Sequence, residues 1–383
     1  MRCAAEVKGV PPEVRESVRR RLLDMLATGS ARESSLDSLV SESLLESGYL
    51  LPKSAIASLA SELSDELFGL GPLERLLRSD DVSEVMINGP DSIYIEKDGV
   101  IERVAMRLAS DAAVVDMVRR VIGPLNLRLD ETSPMVDARL PDGSRLNAVI
   151  PPLCLNGPTV TIRKFRKRPF TVEELVSSGT VSASTAAFLK QVVEQRANII
   201  VSGGTSSGKT TLLNALSSFI PRTERLVTIE DAAELRIDHP HVISLESRPP
   251  SIEGRGEVTV RDLVRNALRM RPDRIIVGEV RGAETIDMLQ AMNTGHPGSL
   301  TTAHANSPAD VISRLETMVL MSGAAVDSGA ARRQISAAID LVVHMERSRD
   351  GRRVVAEVAS LSSTGGGIML EPLIRNAADG DKA

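Results

Sequence analysis

The feature that most constrains this chain is a glycine-rich loop between a short apolar run and a helix-forming stretch. Residues 201–212 read VSGGTSSGKTTL, which places Gly203, Gly208, Lys209 and Thr210 at the spacing of a phosphate-binding loop. The residues just before it, NIIV, have the pattern of a buried strand. A strand, a tight turn and a helix starting near Lys209 are the context that this motif needs. The segment therefore predicts an α/β domain that binds a nucleoside triphosphate.

Each part of this loop has a chemical role in holding phosphate and a divalent metal. Glycines let the backbone curl so that successive N–H groups face inward as a nest for an anion, and the following helix adds its positive end. Lys209 reaches the β- and γ-phosphates, and the Thr210 hydroxyl is placed to ligate Mg²⁺. The alternative is a structural Gly/Ser turn, but the complete eight-residue pattern favours ATP. The residues predicted to bind it are Gly203, Gly204, Thr205, Ser206, Ser207, Gly208, Lys209, Thr210 and Thr211.

Composition indicates a globular protein that does not bind nucleic acid. The 383 residues carry a net charge of −5, with a pI near 5.7, whereas nucleic-acid-binding domains are usually basic. Aromatic residues are 2% of the chain, which leaves few rings to stack on bases. Cys3 and Cys154 have no metal-binding spacing, which suits a reducing cytosol. Because we find no signal peptide and no apolar run near the ~20 residues of a membrane span, we expect a cytoplasmic protein.

The hydrophobic pattern divides the chain into four regions. Residues 1–75 have helical spacing, and residues 76–168 combine period-two strands with a helix as a small α+β domain. The charged segment 163–169, RKFRKRP, marks a boundary, after which residues 169–360 alternate strands and helices. Residues 361–383 include three consecutive glycines and are expected to form a disordered tail. The predicted fold class is α/β: a C-terminal RecA-like P-loop domain preceded by an α+β domain and a helical N-terminal extension.

Acidic residues follow two predicted strands of the P-loop domain. Glu279 ends the apolar pattern RIIVGE, and Glu230 and Asp231 follow LVTI. A carboxylate at the carboxyl end of a core strand beside the phosphate loop can ligate Mg²⁺ or polarise water. Many P-loop enzymes have the Mg²⁺-binding aspartate where this chain has Gly278, so we expect Glu230 to share the metal and water chemistry. The alternative for Glu230 and Asp231 is a helix cap or a turn.

A third polar segment, GHPGSLTTAHAN, contains His296 and His304. Two histidines raise the question of zinc, but no cysteine or third histidine lies at ligand spacing. We interpret His304 as a hydrogen-bond donor near the γ-phosphate. The alternative is a purely structural histidine.

Together these motifs resemble those of the secretion-superfamily ATPases. The segments GGTSSGKTT, TIEDAAEL, RPDRIIVGEVRGAE and GHPGSLTTAHANS occur in the same order as in that family. The upstream segments FGLGPLERLL, VSEVMINGPDSIYIEKDG and MVDARLPDGSRLNAVIPP are similar to the N-terminal domain of its tight-adherence (Flp-type) pilus assembly branch, often named CpaF or TadA. The resemblance covers residues 10–345.

The resemblance implies a homohexameric ring that hydrolyses ATP with Mg²⁺ at the cytoplasmic face of the inner membrane. Such a ring contacts a polytopic platform protein of that membrane and powers pilus assembly or protein export. By position in the motifs, Lys209 and Thr210 bind phosphates and Mg²⁺, with Glu230 as a second metal ligand. Glu230 and Glu279 share water activation, and His304 lies in the histidine box.

The resemblance also implies catalytic arginines in the N-terminal domain. Arg145 in GSRLNAVIPP and Arg163 in TVTIRKF match positions that reach the γ-phosphate in relatives, and Arg139 is a third candidate. An arginine supplied to a phosphoryl transition state contributes ~10³–10⁵ to kcat. For Arg166, Lys167 and Arg168, later in the basic segment, the alternative is a solvated linker.

Three other functions fit parts of the sequence. A type IV secretion ATPase is the nearest alternative, because it belongs to the same class of motor. A RecA-like nucleic-acid translocase is more distant, since the acidic pI and scarce aromatic residues disfavour a nucleic-acid partner. A nucleotide-gated scaffold would bind ATP without hydrolysing it, whereas the paired acids Glu230 and Glu279 favour hydrolysis.

Overall fold

The computed structural model describes residues 10–27, 36–97, 99–165, 168–248, 255–348, 351–364 and 367–375. These residues form two units, one up to residue 165 and one from residue 168 onward. Each unit contains a sheet and helices, so the predicted α/β fold class is confirmed. Residues 166 and 167 of the expected boundary segment lie outside the described residues.

Helices at the start of the first unit pack around a core of their own. The helical spacing of the apolar residues places Leu22, Leu44 and Leu63 on facing sides, where they are fully buried. The sequence Thr28-Gly29-Ser30 predicts the end of the first helix, and these residues lie outside the described part of the chain. The helices are α1 (Pro12–Ala27), α2 (Leu36–Glu46) and α3 (Lys53–Phe68).

An antiparallel sheet forms the rest of the first unit. Its strands lie in the order β3-β2-β1-β6-β5-β4, and the apolar face of one helix packs into the same core. The sequence Asp98-Gly99 predicts a hairpin turn, and Asp98 lies outside the described residues. The helices are α4 (Glu74–Arg78) and α5 (Asp111–Ile122). The strands are β1 (Val82–Asn88), β2 (Ile93–Lys97), β3 (Val100–Val104), β4 (Met135–Arg139), β5 (Arg145–Val149) and β6 (Thr159–Arg163).

The second unit is built on a sheet whose central strands are parallel. The strand order is β14-β13-β12-β7-β11-β10-β8-β9, with antiparallel pairing only where β13 meets β12 and β14 within the described residues. The strands are β7 (Ile199–Gly203), β8 (Leu226–Glu230), β9 (Val242–Glu246), β10 (Arg274–Val280), β11 (Leu300–His304), β12 (Leu341–Arg347), β13 (Arg353–Thr364) and β14 (Gly367–Arg375).

Helices cover both faces of this sheet, because successive strand residues point to opposite sides. In β7, Ile199 and Val201 join one core, whereas Ile200 joins the other. This two-sided burial explains why the central strands read as continuous apolar runs. The helices are α6 (Val172–Ser177), α7 (Ala183–Glu194), α8 (Lys209–Ser217), α9 (Val260–Ala267), α10 (Glu284–Asn293), α11 (Pro308–Met321) and α12 (Ser328–Ala338).

The prediction of a disordered tail after residue 360 is wrong for residues 361–364 and 367–375. Residues 361–364 complete β13, and β14 pairs with it along its length. Leu361, Ile368 and Leu370 pack against the core of the second unit, which holds the hairpin on the sheet. Residues 376–383 lie outside the described chain. The sequence Arg349-Asp350-Gly351 predicts a hairpin turn, of which the structure describes only Gly351.

No helix in the described part of the chain is both long and apolar enough to cross a membrane.

Candidate nucleotide-binding site

The glycine-rich loop lies at the carboxyl edge of the parallel strands in the second unit. β7 ends at Gly203, α8 begins at Lys209, and the residues between them form the turn. β7 lies between β11 and β12, so the loop emerges from the interior of the sheet. This strand-loop-helix arrangement is the one that the sequence predicts, and it aims the start of α8 at the loop.

The loop geometry requires glycine at its first position. Gly203 has φ +152°, and a Cβ placed there would lie 2.4 Å from the Met345 carbonyl oxygen and 2.5 Å from Ser207 Oγ. Neither distance is compatible with a side chain. Gly208 caps α8 with φ +95°, a left-handed conformation that favours glycine. Ser206 has φ +57° although it is not glycine, so part of the loop holds an uncommon backbone conformation.

Lys209 folds back over the loop that precedes it. Its Nζ donates hydrogen bonds to the carbonyl oxygens of Gly203, at 3.0 Å, and Gly204, at 2.8 Å. Burial lowers the pKa of the ammonium group, and the carboxylate of Glu279 partly offsets this effect. The lysine therefore lies inside the predicted phosphate cradle, beside a predicted catalytic acid. Thr210 and Thr211 follow in the first turn of α8, and both are half-buried.

Glu279 lies near the end of β10 and is close to Lys209. Its Oε2 accepts a hydrogen bond from Arg281 Nε at 2.8 Å, and its side chain is 20% exposed. The negative charge of Glu279 raises the pKa of both Lys209 and His304, in each case against a larger opposing effect of burial. The structure thus groups Glu279, Lys209 and His304 at one edge of the sheet.

Glu230 is buried at the end of β8, with its carboxylate turned to the following backbone. Oε1 accepts N–H groups from Glu234, at 2.8 Å, and Leu235, at 3.0 Å. A Cβ on Gly278 would lie 2.9 Å from Glu230 Cγ, so the glycine leaves the room that the glutamate fills. This packing explains the departure from the usual aspartate at position 278. The strands β10 and β11 lie between β8, which carries Glu230, and β7, which precedes the phosphate loop. The backbone of Glu230 is therefore about 14 Å from β7.

The donors available at this edge suit Mg²⁺. The described residues contain no group of three or more His, Cys, Asp and Glu side chains that could hold a metal by themselves. Mg²⁺ is commonly bound through one or two protein oxygens together with phosphates and waters. The Thr210 hydroxyl and the carboxylates of Glu230 and Glu279 are oxygen donors of this kind.

His304 ends β11 directly opposite Gly203 in the neighbouring strand. Its Nε2 lies 3.3 Å from Thr205 Oγ1, so the ring contacts the phosphate loop. Burial and the charge of Lys209 lower the pKa of the imidazole, which favours the neutral ring near pH 7. His296 precedes β11 and therefore lies at its other end, so the two histidines do not share one site.

Two residues beside the loop were not predicted from the sequence. His344 on β12 pairs with Ser202 in register, and its Nδ1 lies 2.9 Å from Ser202 Oγ in a fully buried setting. Arg353 on β13 donates from Nε to the Ser206 carbonyl oxygen at 3.0 Å. The sequence signal for His344 is a single histidine within the apolar run LVVHMER. No local pattern singles out Arg353, because strand pairing alone brings it to the loop.

In the first unit, the three candidate arginines form a row across the sheet. Arg139 pairs with Arg145, and Arg145 pairs with Arg163 on the next strand. Glu84 continues the row beyond Arg163. Burial raises the pKa of Glu84, and the charge of Arg163 partly offsets this. The register therefore places the three guanidinium groups on one face of the sheet, with the Glu84 carboxylate at the end of the row.

Comparison with known proteins identifies relatives that match most of the chain. The family model described as "Type II/IV secretion system protein" matches residues 66–365. A protein of Mycobacterium tuberculosis (strain ATCC 25618 / H37Rv), whose name refers to conjugal transfer, is 41% identical over 310 residues, 79% of this chain and 88% of the relative. The type IV secretion system protein VirB11 of Brucella abortus (strain 2308) is 32% identical over 343 residues, 82% of this chain and 93% of the relative.

Among solved structures, the ATPase DotB of Legionella pneumophila has a similar fold. It superposes with a TM-score of 0.53 over 74% of this chain and 77% of that chain, at 24% identity.

Proposed function

Because the chain belongs to the type II/IV secretion system protein family, we propose that it powers substrate transfer through a type IV secretion or conjugation machine. The chain is a P-loop ATPase, with the nucleotide-binding fold and motif of that family. The observation that carries the proposal is the group of Lys209, Glu279 and His304 around the loop, in a chain of this family.

In this proposal each polar side chain near the loop has a separate role in ATP binding or hydrolysis. Lys209 leaves the loop carbonyls to bind β- and γ-phosphate oxygens, while inward-facing N–H groups of the loop hold the rest of the phosphates. Bound Mg²⁺ would neutralise the developing phosphate charge, held by the Thr210 hydroxyl, and Glu230 would serve it through a bound water, because its own carboxylate is held by the backbone after β8. Glu279 polarises the attacking water, and neutral His304 donates a hydrogen bond near the γ-phosphate.

The arginine row gives the first unit a task in the same reaction. We propose that Arg145 and Arg163 contact the γ-phosphate of bound ATP, with Arg139 in support. The row places three guanidinium groups on neighbouring strands, and a guanidinium group is always charged and suits phosphate geometry. Hydrolysis would then remove the group that these arginines hold.

The choice of process rests on the relatives. Motifs in the first unit favour tight-adherence pilus assembly, but the similar proteins found by comparison bear names from conjugal transfer and type IV secretion. We therefore place the transfer machine first and Flp pilus assembly second. In either case we propose a homohexamer at the cytoplasmic face of the inner membrane, bound to a polytopic platform protein and requiring no nucleic acid for hydrolysis.

A deletion of the gene tests the process directly. The deletion strain should lose substrate transfer and keep surface pili, and the native gene should restore transfer whereas Lys209→Ala should not. Loss of pili with normal transfer would instead support the pilus-assembly function. Strong stimulation of ATP hydrolysis by single-stranded DNA at physiological salt would support a nucleic-acid translocase.

A further inference from the structure

The strands β12 and β13 lie on one side of β7, and β11 lies on its other side. Residues of β12 and β13 contact the phosphate loop that follows β7. Met345 on β12 places its carbonyl oxygen against Gly203, and its Cε lies 3.3 Å from a Cβ built on Gly208. Arg353, at the start of β13, places its Cδ 3.3 Å from the same point. The aliphatic part of Arg353 therefore packs on the turn where the loop enters α8.

The guanidinium of Arg353 holds one peptide group of the loop. Its Nε donates to the carbonyl oxygen of Ser206 at 3.0 Å. Ser206 has φ +57°, a conformation that a non-glycine residue keeps only where its surroundings enforce it. A hydrogen bond from a charged donor to this carbonyl is such a constraint.

The orientation of this carbonyl also fixes the next N–H group. In a trans peptide the C=O and N–H bonds point in opposite directions. With the Ser206 carbonyl held by Arg353, the Ser207 N–H points into the loop and donates to the Gly204 carbonyl oxygen, with N and O 3.4 Å apart. Lys209 Nζ donates to the same Gly204 oxygen. The Ser207 N–H and the Lys209 ammonium therefore meet at one carbonyl oxygen inside the loop, and a bound phosphate would take both donors from it.

We infer that Arg353 is a positioning residue for nucleotide binding, which holds the Ser206–Ser207 peptide group with its N–H inside the loop, ready to pass from the Gly204 carbonyl oxygen to a bound phosphate. The inference rests on the proposed binding of ATP by this loop and goes beyond it, since neither the motif nor its flanking strands include Arg353. The loop binds phosphates in the ground state and in the transition state alike. Loss of its preorganisation should therefore weaken nucleotide binding more than it slows the chemical step.

The test compares three variants of the full chain for ATP turnover and for MgADP binding by calorimetry. Arg353→Met keeps the packing on Gly208 and removes the donor, so the KM for ATP and the Kd for ADP should rise about tenfold, with kcat within about twofold. Arg353→Lys keeps a charged donor and should recover part of the affinity. Arg352→Met, one residue away, should match the wild type.

The outcomes separate this inference from the proposed function. If the wild type neither binds ADP nor hydrolyses ATP, the proposed function fails. If the wild type is active and Arg353→Met keeps its KM and Kd, the inference is wrong. It is also wrong if that variant loses thermal stability and kcat while its KM is unchanged, because Arg353 would then be only structural.

Discussion

At the scale of single residues, the pair of Gly278 and Glu230 is the clearest case of one position determining another. A methyl group on residue 278 would overlap Glu230 Cγ, and the Glu230 carboxylate holds two backbone N–H groups of the loop that follows β8. We expect Gly278→Ala to destabilise the fold by about 1–3 kcal/mol through overpacking. If Glu230 also serves the metal, kcat should fall about tenfold or more. Chemical unfolding and steady-state turnover measure the two effects.

The control for this substitution is Gly204→Ala, measured for stability alone. A Cβ on Gly204 would meet no heavy atom within 4 Å, so the unfolding free energy should stay within about 0.5 kcal/mol of the wild type. Equal stability of the two variants would mean that Glu230 moves aside freely.

His344 should make the stability of the fold depend on pH. Burial lowers its pKa, and Glu346, Glu357 and Asp310 only partly oppose this. Because the unfolded chain takes up this proton at a higher pH than the folded chain, the contribution is complete above about pH 6.5 and is lost as the pH falls below it. Thermal unfolding between pH 7.5 and 5.5 should show a smaller pH-dependent loss in His344→Asn than in the wild type. Parallel curves for both proteins would contradict this.

Among the secondary-structure elements, β14 packs on the second unit through alternate residues. Leu370 packs on the core, whereas its neighbour Met369 is 46% exposed. Leu370→Ala should therefore lower the unfolding free energy by about 2 kcal/mol, and Met369→Ala by less than about 0.5 kcal/mol. Urea titration of both variants measures the difference. Equal small losses would show that the hairpin contributes little to the sheet.

The same element shows where sequence patterns stop being informative. The strands that carry the site, β7, β8, β10 and β11, are buried on both faces, so their apolar runs were recognisable. β14 is only partly buried, so its sequence has no continuous apolar run. It also contains Pro372, which disfavours a strand, and it follows a run of glycines that favours disorder. In α12, the buried positions include the small residues Ala331 and Ala338, which give a weak helical pattern. Arg353 and His344 come to the loop through strand pairing, which no local pattern encodes.

At the scale of the whole molecule, the proposal gives the first unit a catalytic task. Arg163→Ala should lower kcat for ATP about 10³-fold, because an arginine that stabilises the transferring phosphoryl group has an effect of that size. ADP lacks the γ-phosphate, so its Kd should be unchanged. Arg103→Ala removes an exposed arginine from another strand of the same sheet and should retain full turnover. An Arg163→Ala variant with normal turnover would restrict catalysis to the second unit.

In the proposed mechanism, Glu279 lies beside Lys209 and activates water for ATP hydrolysis. The most direct measurement is the rate of phosphate release from MgATP by Glu279→Gln, with Glu194→Gln on α7 as the control. We predict a fall of about 100-fold or more in kcat with the Kd for ADP retained, since the amide cannot act as a base. A Glu279→Gln variant that hydrolyses ATP within about twofold of the wild-type rate would contradict the account.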